Sequence, residues 1–147
     1  LFLARTREHL NHCPSNFPSM KGSNEEELLD ELLRYVNPFE ISQDMSRILK
    51  EEQQCDLVIC LSHLGYYNKR NPEKISDLVL AKATKNIDLI IGGHSHTFLP
   101  KPTVVKNKDN QNMLVNQVGC YGINVGRIDF YFDNEKNVTA SGKSILV

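Results

Sequence analysis

Two uninterrupted apolar runs, "CDLVICL" (55–61) and "IDLII" (87–91), dominate what this chain can become. Each is too short for a helix of ordinary length and carries no polar alternation, the signature of a strand covered on both faces. Between them lies "EKISDLVLAKAT" (73–84), whose apolar residues Ile75, Leu78, Val79 and Ala83 recur at helical spacing. Strand, helix, strand in this order is a βαβ unit, which places the two strands parallel.

Upstream, residues 1–22 contain Pro14, Pro18 and Gly22 without periodicity and read as an irregular leader. "SNEEELLDELLRYV" (23–36) opens with a capping box, Ser23 with Glu26, and repeats leucine on one face; it predicts a helix that Pro38 ends. A second helix is expected over "SQDMSRILKEEQ" (42–53), with Met45, Ile48 and Leu49 turned inward. Past residue 100 the texture changes. "PTVVK", "MLVNQVG", "VGRIDFYFD" and "VTASGKSILV" read as strands separated by turn residues. In the third, Val125, Ile128, Phe130 and Phe132 are mostly opposed by polar neighbours, as in an antiparallel sheet with one wet face. The fold class that follows is α/β with α+β character: a parallel βαβ unit, then antiparallel strands. Residues 23–147 form its folded part.

Composition excludes some partners. The 147 residues carry 17 basic and 18 acidic side chains, so no excess charge points to nucleic acid or an anionic membrane surface. No apolar run reaches the roughly 20 residues of a membrane-spanning helix. Of four cysteines, Cys55 and Cys60 bracket one strand and stand roughly 16 Å apart, too far for a disulfide. Cys60 and Cys120 are expected to be small buried thiols.

The chemistry lies where the two parallel strands stop. The first runs into "SHLG", with His63; the second into "GGHSH", with His94 and His96. Ligands of open α/β sheets bind outside the carboxyl ends of the strands. Neutral imidazole suits zinc- and manganese-class ions. Gly92 and Gly93 are expected to let the chain turn sharply. Neighbouring strands would bring His63 within about 10 Å of His94 and His96, the span of a two-metal site. His9 and His12 lie in the leader and read as surface residues. A two-metal site also requires carboxylates, and the nearest, Asp77 and Asp88, fall inside a helix and a strand. Tyr66 and Tyr67 are expected to serve loop packing rather than a substrate cleft.

"LSHLG" followed about thirty residues later by "GGHSHTFLP", and then by "VNQVGCYGINVGRIDFYFD", resembles the calcineurin-like metallophosphoesterases, and within them the metallophosphatase domain of the 5′-nucleotidase family. The resemblance runs from about Asp44 to the C-terminus. It implies a β-sandwich flanked by helices and two divalent metal ions, zinc, manganese or similar. His63 and His94 would ligate one ion and His96 would stand at a ligand position of the other. The implied reaction is hydrolysis of phosphate monoesters of nucleotides, in an extracytoplasmic or periplasmic setting. The Asp-x-His, Gly-Asp and Gly-Asn-His motifs that supply the family's bridging and catalytic groups are absent from these residues. The chain is therefore expected to be the C-terminal part of a metallophosphatase domain. Its partners would be the missing N-terminal half or a separate nucleoside-binding domain. Two readings compete: a non-catalytic remnant with at most a weak histidine metal site, and an α/β interaction module with incidental histidines.

Overall fold

The structure, a computed structural model, describes residues 2–4, 37–134 and 138–147. A five-stranded sheet is built from β1 (Phe2–Ala4), β2 (Ile59–Leu61), β3 (Leu89–Ile91), β4 (Thr103–Lys106) and β5 (Asn112–Asn116), in the order β1-β2-β3-β5-β4. β2, β3 and β5 run parallel; β1 and β4 close the two edges antiparallel. A separate hairpin pairs β6 (Asn124–Phe132) with β7 (Val138–Leu146) antiparallel along its whole length. The fold is thus the mixed α/β class expected, with the βαβ unit in place.

The apolar runs fill the middle of the sheet. Val58, Cys60, Ile90 and Val115 are fully buried, on neighbouring strands, and Leu80 and Ala81 of helix α2 (Asp77–Ala83) pack on them. Burial raises the Cys60 thiol to about 12, with the nearby Asp77 carboxylate adding to the effect, so it stays a neutral apolar filler. Cys55, Cys60 and Cys120 are all free thiols; Cys55 is buried and Cys120 only half-buried. Asp88 sits at the start of β3, where its carboxylate accepts from the Val58 amide (2.7 Å) and pairs with Lys50 (2.9 Å). It belongs to the opposite end of the sheet from the histidines.

Several local expectations are corrected. The second helix starts earlier than residue 42: α1 covers Pro38–Arg47, with the Asn37 side chain accepting from the Phe39 amide. Proline suits a first helical turn because its missing N–H would have no partner there. The helix runs into one π-helical turn, Ile48–Glu52. Ser42 and Ser46 are fully buried on it and Met45 is exposed, while Leu49, as expected, packs half-buried against the core. Ser46 reaches across to the Lys85 carbonyl (3.0 Å). In α2 the fully buried residues are Asp77, Leu80, Ala81 and, just beyond it, Thr84; of the expected stripe, Ile75, Leu78 and Val79 are half-buried and Ala83 is exposed. The spacing is helical, but the stripe is rotated so that it includes a carboxylate. In β6 the alternation fails: Val125 and Phe132 are exposed and Asp129 is half-buried. Within residues 1–22, Phe2–Ala4 forms β1; the rest of that span and the predicted 23–36 helix lie outside the described residues.

Ile90 is at the centre of the central strand with parallel neighbours on both sides. Ile90→Ala should destabilise the fold by about 3 kcal/mol, read as a lower urea midpoint at unchanged slope.

Candidate metal site at the strand ends

The parallel register brings the strand ends level. Leu61 lies beside Ile91, and Ile91 beside Asn116. One further bond on each side, Ser62 N–H to Ile91 O (2.9 Å) and Gly92 N–H to Asn116 O (2.8 Å), carries the pairing past the strands before the chains diverge. His63 and His94 leave from this common edge. Their rings meet edge to face, centroids 5.2 Å apart and planes at 72°. Both side chains are exposed, so solvent reaches the pair. His96 is on the same loop and points toward the Tyr121 ring, 6.3 Å between centroids.

The two glycines do not provide the turn. The left-handed backbone falls on His94 (φ 69°) and His96 (φ 51°) instead. The glycines provide room. A Cβ on Gly93 would sit 2.9 Å from His63 Nδ1, and a Cβ on Gly92 would overlap Asp77 Oδ2. Each glycine leaves space that another group occupies: the His63 ring beside Gly93 and the Asp77 carboxylate of α2 beside Gly92.

Two buried polar residues that pattern reading passed over hold the loops. Gln117, just past β5, donates from Nε2 to the Gly93 carbonyl (2.6 Å). Its Oε1 accepts from Ser95 Oγ (3.0 Å) and from the Thr97 amide. Ser95 Oγ in turn accepts from the Tyr66 amide (2.9 Å), tying the His94 loop to the His63 loop. Asp77 opens α2 directly beneath, fully buried. Its Oδ1 accepts the Ser62 hydroxyl (2.5 Å), Ser62 Oγ accepts from the Leu64 amide (3.2 Å), and the Asp77 amide donates to the Gly65 carbonyl (2.7 Å). Asp77 Oδ2 has no partner. Burial pushes the Asp77 carboxyl up to about 6, against the opposing pull of the Ser62 hydrogen bond and the His63 charge. The sequence signal was partial: Asp77 precedes the apolar run Leu78–Ala81 and Gln117 stands between Asn116 and Val118.

The donor set fits part of a metal centre. Two adjacent imidazoles offer nitrogen ligands of the kind zinc and manganese accept. Among the described residues, no group of three or more His, Cys, Asp or Glu stands close enough to hold an ion by itself. A cavity of ≈ 410 Å³ opens beside His94, lined among others by Tyr67, Lys69, Arg70, Lys74 and Ser95. None of those three cations is ion-paired among the described residues. Tyr67 therefore faces a cleft, while Tyr66 does pack inward, its hydroxyl on Thr103 Oγ1 (2.8 Å).

Gly92→Ala should destabilise the chain by about 2 kcal/mol through overpacking on Asp77. Asp77→Ala should relieve part of that, so the double variant is non-additive by urea titration. The raised Asp77 carboxyl also gives a pH signature. The unfolded carboxyl ionises near its ordinary 3.8 and the folded one near 6, so the folded state holds the extra proton between them. Asp77 should thus lower stability progressively from about pH 4 to 6, with the full deficit, roughly 3 kcal/mol, above 6. Unfolding at pH 4 and pH 7.5 should show this fall in the wild type and its absence in Asp77→Asn.

No protein-family model matches the chain. Comparison with known proteins gives consistent relatives. The chain is 41% identical over 112 residues to a trifunctional nucleotide phosphoesterase of Bacillus subtilis, covering 76% of this chain and 7% of that protein. It is 32% identical over 116 residues to a 5′-nucleotidase of Vibrio vulnificus, covering 68% and 21%. Among solved structures, a 5′-nucleotidase precursor from Thermus thermophilus superposes with a TM-score of 0.64 at 31% identity, over 76% of this chain and 23% of that one. The Haemophilus influenzae NAD nucleotidase shares the fold, with a TM-score of 0.61 at 24% identity over 78% of this chain and 24% of that one. The chain spans a quarter or less of the length of each. Likeness in sequence and likeness in fold fall on the same set of proteins, and the chain belongs to the 5′-nucleotidase family.

Proposed function

We propose that this chain supplies part of the metal site of a nucleotide phosphoesterase, with His63 and His94 as ligands of one divalent ion and His96 as a ligand toward a second. The observation that carries the reading is the contact of His63 with His94 at level strand ends, beside a cavity edged by Lys69, Arg70 and Lys74. Residues 23–147 would form the C-terminal part of a metallophosphatase domain. Bound divalent ions would ready a water for attack on phosphorus and neutralise the phosphoryl oxygens.

The chain's own residues have definable tasks in this reading. His63 and His94 would offer imidazole nitrogens from adjoining loops, which Gln117 and Ser95 join. The cations Lys69, Arg70 and Lys74 draw a phosphate monoester toward His94, since a cleft with charge of one sign concentrates its counter-ion. The carboxylates that a two-ion centre needs are not beside the histidines among the described residues. They would come from other parts of the longer protein. The names of the relatives support nucleotides as the substrate class, and the family resemblance is what suggests an extracytoplasmic location. Among the described residues, no helix is long and apolar enough to cross a membrane.

Calorimetric titration with zinc or manganese should show binding that weakens at least tenfold in His94→Ala. Unchanged binding in that variant would move the site elsewhere. With AMP or p-nitrophenyl phosphate and either metal, the chain alone should show little or no turnover. Robust turnover abolished by His94→Ala would mean that the described residues complete a centre by themselves. No metal uptake at all would favour the competing reading, a non-catalytic remnant.

A further inference from the structure

The geometry points to Asp77 as the positioning residue of this site: a buried carboxylate that clamps the turn carrying His63 against the strand end carrying His94. The inference rests on the metal-site reading above for its purpose, but on contacts of its own for its existence.

A carboxylate with no exposed surface and one unpartnered oxygen is an expensive thing to place in a core. An apolar residue would fill the same volume without that penalty, as the neighbouring Leu80 and Ala81 do on the same face of α2. What Asp77 does with its position is specific. Oδ1 accepts a hydrogen bond from the hydroxyl of Ser62, the residue immediately before His63. That fixes the Ser62 rotamer, which aims Ser62 Oγ at the Leu64 amide, on the other side of His63. The Asp77 amide takes the Gly65 carbonyl, closing the same turn from its far end. The His63 backbone is therefore held from both sides by one residue of the helix.

Oδ2 faces the other strand end. It occupies the space that Gly92 leaves by lacking a side chain, with the Gln117 amide nearby. Gly92 is itself bonded to Asn116, and Gly93 to Gln117. Asp77 thus reaches both strand ends, bonding Ser62 after β2 and lying against Gly92 after β3. It does not reach a metal or a substrate, and acts through Ser62 and the backbone. Groups in this relation to ligands commonly set metal affinity by 10- to 100-fold.

The test separates a clamp from a filler. Asp77→Leu keeps the volume and removes the acceptor; Asp77→Asn keeps an acceptor for Ser62; Ser62→Ala breaks the link while leaving Asp77 in place. Two readouts are taken on the full chain: the nuclear Overhauser contact between the His63 and His94 rings without metal, and zinc affinity by calorimetry. A clamp predicts that Asp77→Leu, folded by its amide spectrum, loses the ring contact and binds zinc 10- to 100-fold more weakly. Asp77→Asn should recover most of both. Ser62→Ala should repeat the Asp77→Leu loss, and the double variant should add little to either. If Asp77→Leu does not fold, Ser62→Ala alone reads the link. Retention of the ring contact and of zinc affinity within threefold in folded Asp77→Leu, or in Ser62→Ala, overturns the proposal. A wild type that takes up no zinc, yet loses its ring contact in Asp77→Leu, refutes the metal reading and leaves the clamp standing.

Discussion

Leu61, Ile91 and Asn116 lie abreast because β2, β3 and β5 pair in parallel and in one register, and everything at the upper edge of the sheet follows from that alignment. A shift of one residue in either pair would turn Cys60, Ile90 or Val115 out of the core. The fully buried side chains therefore fix where the strands stop as firmly as they fix the sheet. Loops of two or three residues then carry His63 and His94 only a short distance from that edge. The core sets where the two histidines start, and the contacts of Gln117, Ser95 and Asp77 hold the loops that carry them.

On that edge the chain has put polar groups to unusual use. Gln117 and Asp77 are both buried at the base of the loops and between them touch Ser62, Gly92, Gly93, Ser95 and Thr97. Buried polar networks are favourable when satisfied and punishing when not. Gln117 uses both ends of its amide. Asp77 leaves one oxygen without a partner, which is the least comfortable point among the described residues. Such points concentrate where a fold serves something besides its own stability.

Much of this was legible from residues alone. The two apolar runs specified parallel neighbours because nothing else buries both faces of so short a strand, and the histidines after them could only land together. The stripe of α2 was misread for a physical reason: hydropathy counts Asp77 as outward, while the helix turns it inward to reach Ser62. The start of α1 was placed too late because its first turn carries no apolar repeat, and what opens it is Pro38 behind the Asn37 cap. The hairpin escaped for another reason. Alternation predicts one covered face, but covering requires a neighbour, and Val125, Tyr131 and Phe132 remain exposed among the described residues.

His94 and His96 hold backbone angles that glycine adopts freely, while the two glycines before them do not use that freedom. Histidine tolerates the left-handed region better than most residues, yet still less readily than glycine. The loop therefore stands above its own local minimum, held there by Gln117 and the neighbouring turn. Its imidazoles are set in place before any ligand arrives. Ordering entropy that a floppy histidine loop would surrender on binding has already been surrendered on folding, so preorganisation is a property of this segment's backbone.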